Sequence, residues 1–175
     1  MERSFKMKLF DAFRKKQETL APVTVTDTQI AAIADFEMIN VADVKDEMFA
    51  QQMLGQTVAF LSDADTLTVC APANGTLSVM FPTGHAFGIT MKSGVALLVH
   101  IGVNTVKENG NGFTILKKQG DSVKASDPIV TVNLKQLRKK YDMSTMLIVT
   151  DTNGHEVKME TVPFVTRGQV IGEVL

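Results

Sequence analysis

The chain has no tryptophan, one tyrosine, one cysteine and three histidines in 175 residues. A lone cysteine excludes an internal disulfide. Cys70 sits in the apolar run Leu67-Thr68-Val69-Cys70-Ala71, which reads as a buried core thiol. No apolar run reaches the roughly 20 residues that a spanning helix needs, and no secretory signal is visible. A reducing cytoplasm is the expected compartment. A net charge of −1 excludes a chain built throughout to neutralise nucleic acid. The basic cluster Arg138-Lys139-Lys140 has no interleaved aromatics. It reads as the last turn of a helix over 134–141 with Asn133 as N-cap, where cations suit the helix dipole. Nucleic acid is therefore not an expected partner.

What is present is β-signal. From Phe36 onward, short apolar runs rich in β-branched residues alternate with turn residues every eight to twelve positions. Candidate strands are 36–41, 56–62, 66–71, 75–81, 84–91, 95–102, 113–116, 128–132, 145–150, 156–162 and 169–174. An apolar fraction of 45% is enough for a substantial core. The expected fold is all-β: an antiparallel β-sandwich with one or two short helices.

The N-terminal end differs. Over residues 1–16, Arg3, Lys6, Lys8, Arg14, Lys15 and Lys16 oppose only Glu2 and Asp11, a balance of +4. Phe5, Leu9, Ala12 and Phe13 recur at helical spacing. Such a basic amphipathic segment suits peripheral contact with an anionic membrane, and a frayed terminus is the plain alternative. Residues 17–35 read as a linker, with Asp27 capping a helical turn over 29–34. The expected division is a tail and linker over 1–35 and a folded domain over 36–175.

Two of the three histidines, His85 and His100, fall in consecutive strand-like runs separated by Met91-Lys92-Ser93-Gly94. With Lys92-Ser93 as a two-residue turn, Met91 pairs with Gly94 and His85 lies directly opposite His100. A three-residue loop breaks that match. In the two-residue register Phe87, Ile89 and Leu98 share the histidine face and surround the imidazoles with apolar surface. Low dielectric favours the neutral ring. Four readings stay open on spacing alone. The pair could be two structural histidines, or one could be a general base for a serine or cysteine, although no motif places Cys70 with them. They could be two zinc ligands awaiting a third from a partner, since the chain has no His-x-His motif. Or one could carry a phosphoryl group while the other binds its oxygens. The third histidine, His155, reads as a turn residue beside Asn153-Gly154.

The motif Phe81-x-Thr83-x-His85-Ala86-Phe87-x-Ile89 is followed by Gly94-Val95-x-Leu97-x-Val99-His100-Ile101-Gly102-x-x-Thr105-Val106 and Gly110-x-Gly112-Phe113. This closely resembles the enzyme IIA components of the glucose class in the bacterial phosphoenolpyruvate-dependent sugar phosphotransferase system. The similarity reaches back to Asn40-Val41-Ala42-Asp43-Val44-Lys45-Asp46-Glu47-Met48-Phe49-Ala50 and forward to Gly168-x-x-Ile171. The resemblance implies a cytoplasmic phosphocarrier without cofactor. It would take a phosphoryl group from phosphohistidine on the protein HPr and pass it to a cysteine of a IIB domain. Regulated transporters or enzymes would be further partners if the same face serves as a binding module. On this resemblance His100 is the phosphorylated residue, His85 its neighbour, Thr83 the hydroxyl that orients His85, and Gly102 the carbonyl that fixes the His100 tautomer. The partner-binding candidates are Asp46, Met48, Phe49, Met53, Leu54, Phe81, Phe87 and Asn104. No resident metal is implied. The chain departs from the family pattern at Asn104, usually Asp, at Lys45, usually Pro, and at Ser126, usually Gly.

Overall fold

The computed structural model describes residues 21–175. The basic segment over 1–16 lies outside them. The strands are β1 (Gln29–Ala31), β2 (Phe36–Ile39), β3 (Gln56–Leu61), β4 (Thr66–Cys70), β5 (Gly75–Met80), β6 (Ala86–Met91), β7 (Ala96–Ile101), β8 (Phe113–Ile115), β9 (Ser122–Val123), β10 (Pro128–Asn133), β11 (Thr145–Asp151), β12 (Val157–Met159), β13 (Phe164–Val165) and β14 (Val170–Val174). Two single-turn α-helices, α1 (Glu47–Ala50) and α2 (Leu134–Leu137), and two 3-10 turns, Val41–Asp43 and Thr105–Glu108, accompany them among the described residues. The pairings are antiparallel throughout. The largest sheet runs β13-β2-β3-β11-β7-β6-β5-β9, and two three-stranded sheets, β1-β14-β12 and β4-β10-β8, complete the body. The all-β antiparallel sandwich expected from the sequence is the fold observed.

Strand alternation separates two cores. On one face of the large sheet Phe60, Phe87, Ile89, Leu97, Val99, Ile101 and Leu147 enter the main core. On the other face Ala59, Met146 and Ile148 meet Val44, Phe49 and Val103, which cover this part of the sheet. The second cluster borders the histidines.

Three expectations change. The 29–34 segment is not helical. Gln29–Ala31 pairs with β14, and Ile30, Ala31, Ala32 and Ile33 are buried, so packed structure begins ahead of residue 36. Thr26 to Gln29 forms a turn instead, closed by a 3.2 Å backbone bond. The 134–141 helix shortens to α2. Asn133 does cap it, accepting from the Gln136 amide at 3.0 Å, but Arg138 turns away to donate to the carbonyls of Ser62, Asp63 and Ala64. Finally, the β6–β7 hairpin has a three-residue loop. Met91 N–H donates to Val95 O and Gly94 N–H to Met91 O, each at 2.9 Å, with Gly94 left-handed at φ +87°. The register therefore pairs Ala86, not His85, with His100.

Candidate functional site

His100 is the penultimate residue of β7. Its neighbours across the sheet are Ala86 on β6 and Met146 on β11. Ala86 contributes only a methyl group there. His85 stands one residue before β6, after a turn closed by the Gly84 amide on the Phe81 carbonyl at 2.8 Å. Strand alternation does not govern it at that position, and its ring reaches His100 despite the shifted register. The two ring centroids are 5.2 Å apart at 80°, edge to face.

Each ring has a partner at Nδ1. His100 Nδ1 lies 2.8 Å from the Gly102 carbonyl oxygen. A carbonyl only accepts, so the ring proton sits on Nδ1 and Nε2 keeps its lone pair. His85 Nδ1 lies 2.5 Å from Thr83 Oγ1. The hydroxyl can donate there, which leaves His85 Nε2 as a donor. The Gly102 carbonyl is itself placed tightly. Gly102 has φ +75°, and a Cβ on it would lie 2.5 Å from Thr105 Cγ2 and 2.9 Å from Met143 Sδ. Glycine is required by both conformation and space.

Burial sets the charge state. It pushes the His100 imidazole down to about 4, with a further contribution from His85. The Gly102 carbonyl and the Asp46 carboxylate pull the other way without reversing the shift. Burial also lowers His85, which is 5% exposed. Both rings are neutral at pH 7. Cys70, by contrast, is fully buried with its thiol pushed up to about 12, the core residue that its sequence setting indicates.

The expected apolar collar is only partly right. Phe87 is fully buried in the main core and cannot reach a partner, and Ile89 goes with it, because the register places both on the opposite face from His100. Phe49 is also buried. Its ring packs 4.8 Å from that of His100 and supports it, so it is not part of a docking rim. Leu98 does share the His100 face. Phe81, 40% exposed, sits 5.2 Å from the His85 ring. Met48, Met53 and Leu54 are exposed at 41%, 68% and 38%. Asp46 is the N-cap of α1, accepting from the amides of Met48 at 2.9 Å and Phe49 at 3.3 Å. Asn104 is exposed and left-handed at φ 60°, with no side-chain capping bond. Among the described residues no group of three or more His, Cys, Asp and Glu is placed to hold a metal ion.

Sequence reading missed Asp142, Ser144 and Met146 beneath this site. The pattern Asp142-x-Ser144 carried a usable signal, because an aspartate two residues before a serine favours an Asx turn. The turn is present, with Ser144 N–H donating to Asp142 Oδ1 at 2.9 Å.

The family described as "phosphoenolpyruvate-dependent sugar phosphotransferase system, EIIA 1" matches residues 28–155. The chain belongs to this EIIA family. It is a phosphotransferase component and serves as a phosphocarrier in sugar transport. This EIIA protein is similar to the glucose-specific EIIA component of Mycoplasma capricolum subsp. capricolum. The two are 38% identical over 144 residues, 82% of this chain and 92% of that one. The solved glucose permease IIA from Mycoplasma capricolum superposes with a TM-score of 0.76 at 37% identity, covering 82% of this chain and 93% of that one. The glucose-specific EIICBA component of Staphylococcus carnosus is 35% identical over 124 residues, 70% of this chain and 18% of the longer protein. Among the described residues no helix is long and apolar enough to cross a membrane.

Proposed function

We propose that His100 carries the phosphoryl group of this EIIA protein, receiving it from phosphohistidine on HPr and delivering it to a cysteine of a IIB domain. One observation carries the assignment. The 2.8 Å contact of Nδ1 with the Gly102 carbonyl commits the ring proton and frees Nε2 as nucleophile. In the first step Nε2 attacks phosphorus in line. The new N–P bond forms as the N–P bond on HPr breaks, and the HPr imidazole leaves with the electron pair. In the second step a thiolate attacks the same phosphorus, and the His100 N–P bond breaks. No general base is needed at His100, because a neutral imidazole already offers a lone pair.

His85 supports the transfer from the side. With Thr83 donating to its Nδ1, His85 Nε2–H points a donor at a phosphoryl oxygen. Such a donor in a dry site is worth about 2.7–4 kcal/mol. Met48, Met53, Leu54 and Phe81 form the apolar rim on which partners dock, with Asp46 and Asn104 at its polar margin. Residues 1–16 act as a peripheral membrane contact in a cytoplasmic protein. The relatives' names make glucose the first sugar to try.

The test uses the full chain with phosphoenolpyruvate, enzyme I and HPr. The wild type takes up acid-labile phosphate, and His100→Ala takes up none. Uptake by His100→Ala overturns the assignment. His85→Ala still accepts phosphate but passes it on more slowly, and transfer at the wild-type rate removes His85 from the mechanism.

A further inference from the structure

Below the two histidines one carboxylate joins the separate supports of His100. Asp142 lies in the loop before β11 and uses three acceptor atoms. Its backbone carbonyl accepts from Val103 N–H at 2.8 Å. Its Oδ1 accepts from Ser144 N–H at 2.9 Å and Ser144 Oγ–H at 2.6 Å. Its Oδ2 accepts from Lys45 N–H at 3.1 Å, a contact that spans 97 positions of sequence. The Ser144 carbonyl in turn accepts from Gly102 N–H at 3.0 Å.

Two paths from Asp142 lead to the imidazole. Through Ser144 and Val103 it fixes the peptide segment whose Gly102 carbonyl holds His100 Nδ1–H. Through Lys45 it fixes the residue before Asp46, the cap of α1, whose Phe49 ring packs on His100. We infer that Asp142 is a positioning residue for phosphoryl transfer, tying the tautomer-setting carbonyl and the α1 support into one frame. Burial alone would raise the Asp142 carboxyl, but the bonds from Ser144 and Lys45 outweigh it and hold it below the usual range, as an ionised acceptor.

The same contact accounts for a departure seen in the sequence. A proline before Asp46 has no N–H to give. Lys45 supplies that donor, and Asp142 is the acceptor that uses it. The two residues form a matched pair in this chain.

The inference rests on His100 as the nucleophile, and its test separates the two ideas. Long-range ¹H–¹⁵N spectra of the imidazoles in the full-length protein read the His100 tautomer without any phosphate. In the wild type the proton is on Nδ1. In Asp142→Ala that single tautomer gives way to a mixture, and the rate of phosphate uptake from phosphorylated HPr falls about tenfold, in line with losses at residues that orient a functional histidine. KM for HPr changes little, because Asp142 is not on the docking rim. Asp142→Asn keeps one carbonyl acceptor, which the two Ser144 donors occupy while its NH2 group faces Lys45 N–H and cannot accept from it. It therefore gives an intermediate loss and replaces the alanine variant if that one does not fold. Lys45→Pro slows uptake in the wild type but adds little in Asp142→Asn. A folded Asp142 variant with the wild-type tautomer and rate overturns the inference, as does a full Lys45→Pro effect in the Asp142→Asn background. If His100→Gln still accepts phosphate while the tautomer responds to Asp142, the nucleophile assignment falls and the positioning of the ring stands.

Discussion

At the scale of residues, His100 shows how burial sets chemistry and stability together. Its imidazole is held at about 4, while in an unfolded chain it titrates near 6.5. Between those values the unfolded state binds a proton that the native state refuses. The stability from the neutral ring is therefore complete above pH 6.5 and is lost as pH falls through 4. His100→Gln keeps a neutral polar group in place, so its denaturation midpoint should depend less on pH across that window than the wild type's does. Equal slopes would mean that His100 titrates normally. Ser126 makes a second case. It is buried, left-handed at φ 72°, and its hydroxyl has no hydrogen-bond partner among the described residues. Glycine removes the conformational strain and the orphan hydroxyl, so Ser126→Gly should stabilise by about 1 kcal/mol in urea unfolding. A loss of stability would contradict that reading. Thr83, His85, His100 and Gly102 could be named from the sequence because the motif's spacing is specific, and the fold brings the four together. Phe49 and Phe87 were misplaced because an aromatic in a sequence declares apolarity, not which side of a sheet it takes.

At the scale of elements, one residue of loop length decided the register. Lys92-Ser93-Gly94 supplies two turn residues and a left-handed glycine, a pattern that serves a three-residue loop as readily as a two-residue turn. The sequence does not choose between them. The choice moves Phe87 and Ile89 into the main core and leaves Leu98 beside His100. The histidines still meet, because His85 lies outside the strand. The short helix α1 has its own role here. A single turn is not stable alone and depends on its cap and on the packing of Phe49. Asp46→Ala should cost about 1 kcal/mol of stability, the typical loss for an N-cap. It should also lower the His100 titration further, because the Asp46 carboxylate acts to raise it. An NMR titration of the imidazoles checks the direction, and an upward shift would show that Asp46 acts on His100 in some other way.

At the scale of the molecule, the sandwich was legible because long strands repeat an alternating pattern, whereas β1, β9 and β13 have only three, two and two residues. Segments that short carry no readable period, and tertiary pairing alone makes them strands. The proposed docking face depends on the same architecture. One side of the large sheet is sealed in the main core, and part of the other side is covered by Val44, Phe49 and Val103. What remains open beside the histidines is a rim with exposed Met48, Met53, Leu54 and Phe81. Methionines at such a rim can adapt to partners of different shape. Replacing Met48 and Met53 together with aspartate places charge where partner burial would desolvate it, and removes apolar contact area. The core is untouched, since both side chains face solvent. The double variant should melt with the wild type and keep the His100 tautomer. Its KM for phosphorylated HPr should rise about tenfold, the effect of roughly 1.4 kcal/mol at an interface. An unchanged KM would move the docking surface away from α1, towards Phe81 and the turn before β6.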